Sequence, residues 1–116
     1  MLRTCLKSKL HNVTVTAASV DYMGSITIDQ DWMEMADLWD GEQVLVASST
    51  SGERLTTYAI CGKRGSGCIE MNGAAALKIG QGERVIVMSF VLSDRPLQAK
   101  VLLFGENNQL LPGTGK

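Results

Sequence analysis

The feature that most constrains the fold is a series of short apolar segments separated by turn residues. Residues 12–18 alternate apolar and polar side chains, and residues 25–28 do so again, which is the period of a half-buried strand. Residues 85–92 form a continuous apolar run, which is typical of a central strand. Three further strands are predicted at residues 43–47, 55–61 and 100–104. The chain is therefore expected to be mainly β.

Two short helices are predicted between these strands. The first runs through residues 32–38, and either Asp29 or Asp31 can cap its start. The second spans residues 72–79, with Asn72 as its cap. Six short strands with two short helices favour a small closed β-barrel, because closure removes the exposed strand edges that invite aggregation.

Length, charge and composition exclude several classes of protein. A chain of 116 residues is expected to form one domain, and its 45% hydrophobic content and net charge of −1 argue against disorder and against a nucleic-acid partner. No apolar run is long enough to span a bilayer, so no membrane partner is expected. Arg3 and Lys7 interrupt the apolar stretch that a signal peptide needs, which favours a cytoplasmic protein. The three cysteines and the single histidine lack metal-ligand spacing, so no metal site is expected.

The dipeptide Gly24-Ser25 is a candidate for internal peptide cleavage. A serine hydroxyl can attack the preceding carbonyl carbon, provided that the developing oxyanion is stabilised. Gly24 suits this attack because it has no Cβ and tolerates strained backbone angles. Taken alone, a Gly-Ser pair is far more often an ordinary turn. The pair Gly65-Ser66 occurs in the same chain and is interpreted as only a turn.

The residues that accompany Gly24-Ser25 change its interpretation. They are Lys9-Leu10-His11 upstream, Arg54-Leu55-Thr56-Thr57-Tyr58 downstream, and then Asn72-Gly73-Ala74-Ala75-Ala76. In this order and spacing, over nearly the whole chain, the sequence closely resembles the pyruvoyl-dependent L-aspartate 1-decarboxylases. The resemblance implies an enzyme that converts L-aspartate to β-alanine and carbon dioxide for pantothenate biosynthesis.

The resemblance also implies how such an enzyme matures. The Gly24–Ser25 bond would cleave itself into a β chain of residues 1–24 and an α chain of residues 25–116, and Ser25 would become a covalent pyruvoyl group. That group would bind the substrate as a Schiff base, with no metal and no pyridoxal phosphate. Whether maturation needs a helper protein is left open.

Roles for individual residues follow from the same resemblance. Tyr58 would donate a proton after decarboxylation, and Thr57 would hydrogen-bond the Gly24 carbonyl during cleavage and the substrate afterwards. Arg54 and Lys9 would bind the substrate, Arg54 by clamping a carboxylate. Backbone N–H groups at a helix start would bind the substrate as well, and two further side chains would line the pocket. The helix start comprises Asn72, Gly73, Ala74 and Ala75, and the two pocket residues are His11 and Tyr22.

From the residues alone, these assignments have alternatives. Arg54 is also compatible with a solvated charge at a strand start, and Lys9 and His11 share a strand face that can simply be a basic surface. Thr57 and Tyr58 point to opposite faces of a regular strand, so both reach one site only if the strand bends or two subunits meet there.

For the fold and assembly, the resemblance implies a six-stranded double-psi β-barrel with short helices, assembled as a homotetramer with shared active sites. The alternative function belongs to another class. It is a non-catalytic double-psi barrel that serves as a binding or assembly module.

Overall fold

Eight strands and one α-helix make up the fold of the described residues, so the prediction of a mainly β protein is confirmed. The computed structural model describes residues 1–113. The strands are β1 (Arg3–Thr14), β2 (Ala17–Ser19), β3 (Ser25–Asp29), β4 (Gln43–Ser48), β5 (Arg54–Gly62), β6 (Ile69–Asn72), β7 (Arg84–Ser93) and β8 (Lys100–Leu103). Helix α1 spans Gln30–Ala36, and two 3-10 helices span Gly73–Leu77 and Glu106–Asn108. No helix in the described chain has the length and hydropathy that crossing a bilayer requires.

All eight strands belong to one hydrogen-bonded sheet, in the order β2-β6-β3-β5-β4-β7-β1-β8. Strand β3 lies parallel to β5 and antiparallel to β6, and the pairs β1–β8 and β2–β6 are also parallel. Within residues 1–113 no strand pairing joins β2 to β8, so the sheet has eight strands rather than six and the predicted closure is not confirmed. The two edge strands have three and four residues. Short edges offer little template for pairing with another chain, so the sheet limits its edges by length instead of closure.

The predicted strand at residues 12–18 is wrong in its bounds. The segment is divided between the end of β1 and the first two residues of β2, with residues 15–16 outside both strands. Asn12 has a φ of +64°, and the register between β1 and β7 shifts at this point. Burial still alternates from residue 12 to residue 16, but β1 ends at residue 14 because the next two N–H groups donate to the carbonyls of Glu83 and Ile69. The other five predicted strands are confirmed to within one residue at each end, while β6 was not predicted.

The start of α1 confirms one of the two predicted caps. Asp29 is the N-cap, and its Oδ1 accepts a hydrogen bond from the Asp31 backbone N–H at 2.9 Å. The same buried carboxylate accepts hydrogen bonds from the N–H groups of Gly65 at 3.1 Å and Gly67 at 2.8 Å. The helix ends before the predicted residue 38, because Asp37 adopts a left-handed φ of 56°. Asp29 therefore fastens the loop that contains the second Gly-Ser pair to the start of α1.

The second predicted helix is shorter than residues 72–79. It is the five-residue 3-10 helix Gly73–Leu77. Asn72 occupies the N-cap position, but its side chain makes no hydrogen bond to the helix, so the predicted capping role is wrong. Asn72 instead ends β6, where it pairs with Ser25 of β3.

One buried apolar cluster holds the sheet and α1 together. Trp32 of α1 packs edge-on against Phe104, with ring centroids 4.7 Å apart. Ile26 and Ile28 of β3 are fully buried, and the neighbouring strands contribute Ala59 from β5 and Met71 from β6. β3 is buried between its neighbours β5 and β6, which fixes its register. The position of Ser25, the first residue of β3, is fixed with it.

Candidate active site

Ser25 is buried at the start of β3 in an uncommon backbone conformation. Its φ is +117°, and only 1% of its surface is exposed. A positive φ on a residue with a side chain costs on the order of 1–3 kcal/mol and persists only where the surroundings impose it. Strain of this kind gathers at functional sites, so Ser25 is a functional candidate on structural grounds alone.

The second Gly-Ser pair has neither property. Ser66 is exposed and is not among the described residues with a positive φ. Its hydroxyl donates a hydrogen bond to the Lys63 carbonyl at 2.6 Å, within a turn. The prediction that Gly65-Ser66 is only a turn is confirmed.

The φ of Ser25 determines where its side chain lies relative to Gly24. An L-residue carries its Cβ about 120° from its own carbonyl carbon around the N–Cα bond. A φ of +117° therefore brings the Ser25 Cβ almost into line with the Gly24 carbonyl carbon, viewed along that bond. In an ordinary strand, where φ is about −120°, the Cβ would point well away from it. The aligned arrangement lets Oγ reach the Gly24 carbonyl carbon through a five-membered ring, so the backbone favours attack on the preceding peptide bond.

Asn72 holds the hydroxyl of Ser25. Its Nδ2 donates hydrogen bonds to Ser25 Oγ at 3.3 Å and to Thr27 Oγ1 at 2.8 Å. The Asn72 side chain is therefore directed at the scissile bond, whereas the sequence predicted only a place at the substrate.

The crowded glycine beside the scissile bond is Gly73. A Cβ added to Gly73 would lie 2.9 Å from Gly24 Cα, 3.0 Å from Gly24 N and 3.0 Å from the Tyr22 carbonyl oxygen. A Cβ added to Gly24 would meet no atom of residues 1–113 within 4 Å beyond its chain neighbours, and Gly24 is not among the glycines with a positive φ. The predicted reason for a glycine at position 24 is therefore wrong. The strain lies on Ser25, and the close contact lies at Gly73.

A cavity of about 280 Å³ opens beside the scissile bond. Its wall brings together six of the predicted site residues, namely Gly24, Ser25, Thr57, Asn72, Ala74 and Ala75. Leu55, Thr56 and Lys78 complete the lining. The small side chains of the alanines leave room for a ligand of amino-acid size next to position 25.

Lys78 is the charged residue among the three lining residues that the sequence analysis did not predict. It is the one lining residue of the described chain with a titratable side chain. Its Nζ lies 3.5 Å from Glu53 Oε2, and both side chains are about half exposed. The sequence did contain a signal for Lys78. It is a cation near the end of the predicted helix 72–79, and residues three or four positions apart share a helix face, so Lys78 is expected beside Ala74 and Ala75.

Arg54 and Tyr58 lie on the other face of β5. Along this strand Leu55 and Thr57 are partly buried, whereas Arg54 and Tyr58 are exposed, Tyr58 by 43%. Neither of the exposed side chains lines the Ser25 cavity of the described chain. The predicted opposition of Thr57 and Tyr58 is confirmed.

Lys9 and His11 are distant from the cavity within one chain. They lie on β1, and three strands (β7, β4 and β5) separate β1 from β3 in the sheet. Burial, and then the charges of Lys9 and Arg84, lower the pKa of His11 below its ordinary value. Within residues 1–113, His11 Nδ1 is buried without a hydrogen-bond partner.

The Tyr22 side chain is 69% exposed, and its backbone carbonyl is the part that approaches Gly73.

Two comparisons with known proteins cover nearly the whole chain. The family model described as aspartate decarboxylase matches residues 1–111. A curated relative from Thermotoga sp. (strain RQ2), the protein "Aspartate 1-decarboxylase", is 46% identical over 111 residues, which is 96% of this chain and 97% of the relative. Both matches extend across the Ser25 cavity and all eight strands.

Proposed function

The chain belongs to the aspartate decarboxylase family, and we propose that it converts L-aspartate to β-alanine by releasing the α-carboxylate as carbon dioxide. The observation that carries this proposal is the buried Ser25 with a φ of +117°, aligned for attack on Gly24. The product would serve pantothenate biosynthesis in the cytoplasm, the pathway and the place that the resemblance implies. The purified, cleaved protein should release β-alanine and carbon dioxide in equal amounts from L-aspartate. A fully cleaved protein that releases neither would contradict the proposal and favour a binding module.

Self-cleavage would begin when the Ser25 hydroxyl attacks the Gly24 carbonyl carbon. The Gly24–Ser25 C–N bond breaks, an ester forms through Oγ, and the Ser25 amine becomes free. Removal of the Ser25 Hα proton then expels the Gly24 carboxylate. Hydrolysis of the resulting enamine releases ammonia and leaves a pyruvoyl group at position 25. The products would be fragments 1–24 and 25–116.

The surroundings of Ser25 fit such a group. Asn72 offers an amide donor to the side chain of position 25, and Ala74 and Ala75 leave the cavity beside it open to a small substrate. When present, a pyruvoyl ketone supplies an electrophile for the substrate amine and an acceptor for the electron pair that decarboxylation leaves. The chain's own residues then bind the carboxylates, exclude water and supply the proton.

Thr57→Val is expected to slow cleavage itself. Thr57 lines the cavity beside Gly24, and its hydroxyl is the proposed donor to the oxyanion that develops on the Gly24 carbonyl. Loss of one such donor typically costs about 10²–10³-fold in rate. The fraction of cleaved chain should be followed over time by denaturing mass spectrometry. Thr4→Val, at an exposed position of β1, is the matched control and should cleave normally. Normal cleavage of Thr57→Val would remove Thr57 from the mechanism.

Cations would bind the carboxylates of aspartate. Lys78 lies in the cavity wall, whereas Arg54 and Lys9 would reach the substrate from a neighbouring chain. Guanidinium binds carboxylate through two parallel hydrogen bonds, so Arg54 is the proposed clamp. Glu53 pairs with Lys78 at 3.5 Å and would release it when a substrate carboxylate arrives.

Arg54→Ala is expected chiefly to raise KM for L-aspartate, by about 10- to 100-fold, since a hydrogen bond to a charged group contributes about 1.5–3 kcal/mol. Steady-state β-alanine release from fully cleaved protein measures this. Arg95→Ala, which removes an 80% exposed guanidinium, should leave KM unchanged. An unchanged KM in Arg54→Ala would show that another cation binds the substrate carboxylate.

The active form would be a homotetramer with sites shared between subunits. The exposed positions of Arg54 and Tyr58, on the face of β5 opposite Thr57, support this, because a second chain can present them to the Ser25 cavity of the first. The separation of Lys9 and His11 from β3 supports it in the same way.

A double-psi arrangement of the sheet is proposed as the finer description of the fold. Three parallel pairs in an otherwise antiparallel sheet support it, because each parallel pair needs a crossover connection. The strand pairing by itself defines an open sheet, so an experimental structure of the cleaved tetramer is the test.

A further inference from the structure

We propose that Gly73 is a positioning residue for self-cleavage, because its backbone, free of a Cβ, presses on Gly24 and imposes the φ of Ser25. This inference rests on the proposed function. It gives Gly73 a role in the uncut chain, which is distinct from the substrate contact that the resemblance implied.

The atoms nearest to a Cβ added at Gly73 belong to backbone. The three atoms that a Cβ would meet at 2.9–3.0 Å are Gly24 Cα, Gly24 N and the Tyr22 carbonyl oxygen. None of them can rotate away as the end of a flexible side chain can. Gly73 also has a φ of +65°, a conformation that glycine adopts without strain. Position 73 therefore needs glycine for two reasons. Its own φ favours glycine, and the backbone of residues 22–24 approaches too closely to leave room for a Cβ.

The φ of Ser25 is set between two fixed neighbours. On one side, Ser25 pairs with Asn72 in the antiparallel ladder of β3 and β6. On the other side, Gly24 is in contact with Gly73, the residue that follows Asn72. Between these two contacts the planar 24–25 peptide leaves rotation about the Gly24 Cα–C bond and the Ser25 N–Cα bond, and the second rotation is the φ of Ser25. Because that rotation aligns Cβ with the Gly24 carbonyl carbon, moving Gly24 away from Gly73 would move the hydroxyl out of line.

Gly24 itself contributes no such constraint. Space for a Cβ at Gly24 is open, and its backbone lies outside the positive-φ region. Gly73 is also absent from the residues that line the cavity in the described chain. The crowding at Gly73 is therefore directed at the scissile segment and not at the cavity.

The test compares Gly73→Ala with Gly52→Ala in the full chain. Gly52 has a φ of +82°, and a Cβ there would meet no described atom within 4 Å beyond its chain neighbours, so it imposes backbone strain without a clash. We expect Gly73→Ala to cleave about 10²-fold more slowly than wild type, because a small misplacement of reacting atoms costs that much. Gly52→Ala should cleave at the wild-type rate. The fraction of cleaved chain is measured by mass spectrometry, and circular dichroism and light scattering compare folding and assembly.

Hydroxylamine separates a positioning role from a later one. It cuts the ester that precedes elimination, giving fragment 25–116 with a free serine amine. If Gly73 positions the attack, ester formation is the slow step in Gly73→Ala, so no ester accumulates and hydroxylamine releases no fragment beyond the slow cleavage already expected. Accumulation of ester in folded Gly73→Ala would overturn the inference, because the block would then follow the attack.

Should Gly73→Ala fail to fold, a chain with one glycine inserted after Met23 replaces it. Met23 is 88% exposed, so the insertion adds slack without disturbing the core. We expect slower cleavage, because Gly24 can then move away from Gly73. A wild-type rate there, or in folded Gly73→Ala, would overturn this inference and leave the proposed function standing. A wild-type chain that never cleaves would overturn both.

Discussion

Ser25→Ala is expected to stay a single uncut chain and to release no β-alanine. The methyl group has no nucleophile for Gly24 and cannot become a ketone. The substitution removes one oxygen, which accepts one hydrogen bond from Asn72 at 3.3 Å, so the loss of stability should be about 1 kcal/mol. The variant should therefore fold, and its inactivity should be chemical. Intact mass and β-alanine release are the two measurements.

The second Gly-Ser pair provides the matched control. Ser66→Ala also removes one serine hydroxyl that follows a glycine, and its single described partner is the Lys63 carbonyl. It should cleave between Gly24 and Ser25 and turn over aspartate like the wild type. A Ser25→Ala protein that forms β-alanine would contradict the pyruvoyl mechanism.

Tyr58→Phe should cleave normally and lose kcat by about 10²–10⁴-fold, the range typical of a removed general acid. The proposed task of its hydroxyl begins only after carbon dioxide has left, so maturation should not depend on it. Phenylalanine keeps the ring and its packing on β5. The ratio of fragments and the rate of β-alanine release, measured on one preparation, separate the two steps. Turnover at the wild-type rate would show that another acid supplies the proton.

Mixed tetramers test whether Tyr58 acts on a neighbouring chain. Ser25→Ala chains retain Tyr58, and Tyr58→Phe chains retain Ser25. When the two are coexpressed and mix at random in closed oligomers, about one quarter of shared sites receive both groups, so about a quarter of wild-type activity should return. Each variant expressed alone is the control. A site contained within one chain would gain nothing from mixing.

The strands were largely predictable because their signal is local. Apolar runs such as residues 85–92 reflect burial on the sheet, and β7 extends one residue beyond this run at each end. β6, Ile69–Asn72, escaped prediction because a helix capped by Asn72 leaves only residues 69–71 for a strand, and because its pairing partners β2 and β3 lie far away in sequence. The bulge at Asn12 was missed for a similar reason, since it is a property of the β1–β7 pairing rather than of either strand alone.

The sequence predicted which residues belong to the site, but not their backbone conformations or their contacts. A sequence identifies Gly24, Ser25 and Gly73 but does not say which of them is crowded or strained, because crowding depends on what folds against each residue. The structure assigns the strained backbone to Ser25, whose positive φ glycine alone would adopt freely, and the close contact to Gly73. Lys78 escaped for a related reason, because its place in the wall depends on how the 3-10 helix Gly73–Leu77 turns back toward the cavity.

The most direct test of the central claim is the intact mass of the purified wild-type protein under denaturing conditions. Conversion of Ser25 to a pyruvoyl group predicts two fragments, 1–24 and 25–116, with the second lighter than its serine form by one ammonia. A single uncut chain would contradict the account. So would a second fragment that retains its serine amine, because the bond would then have been hydrolysed without forming the ketone.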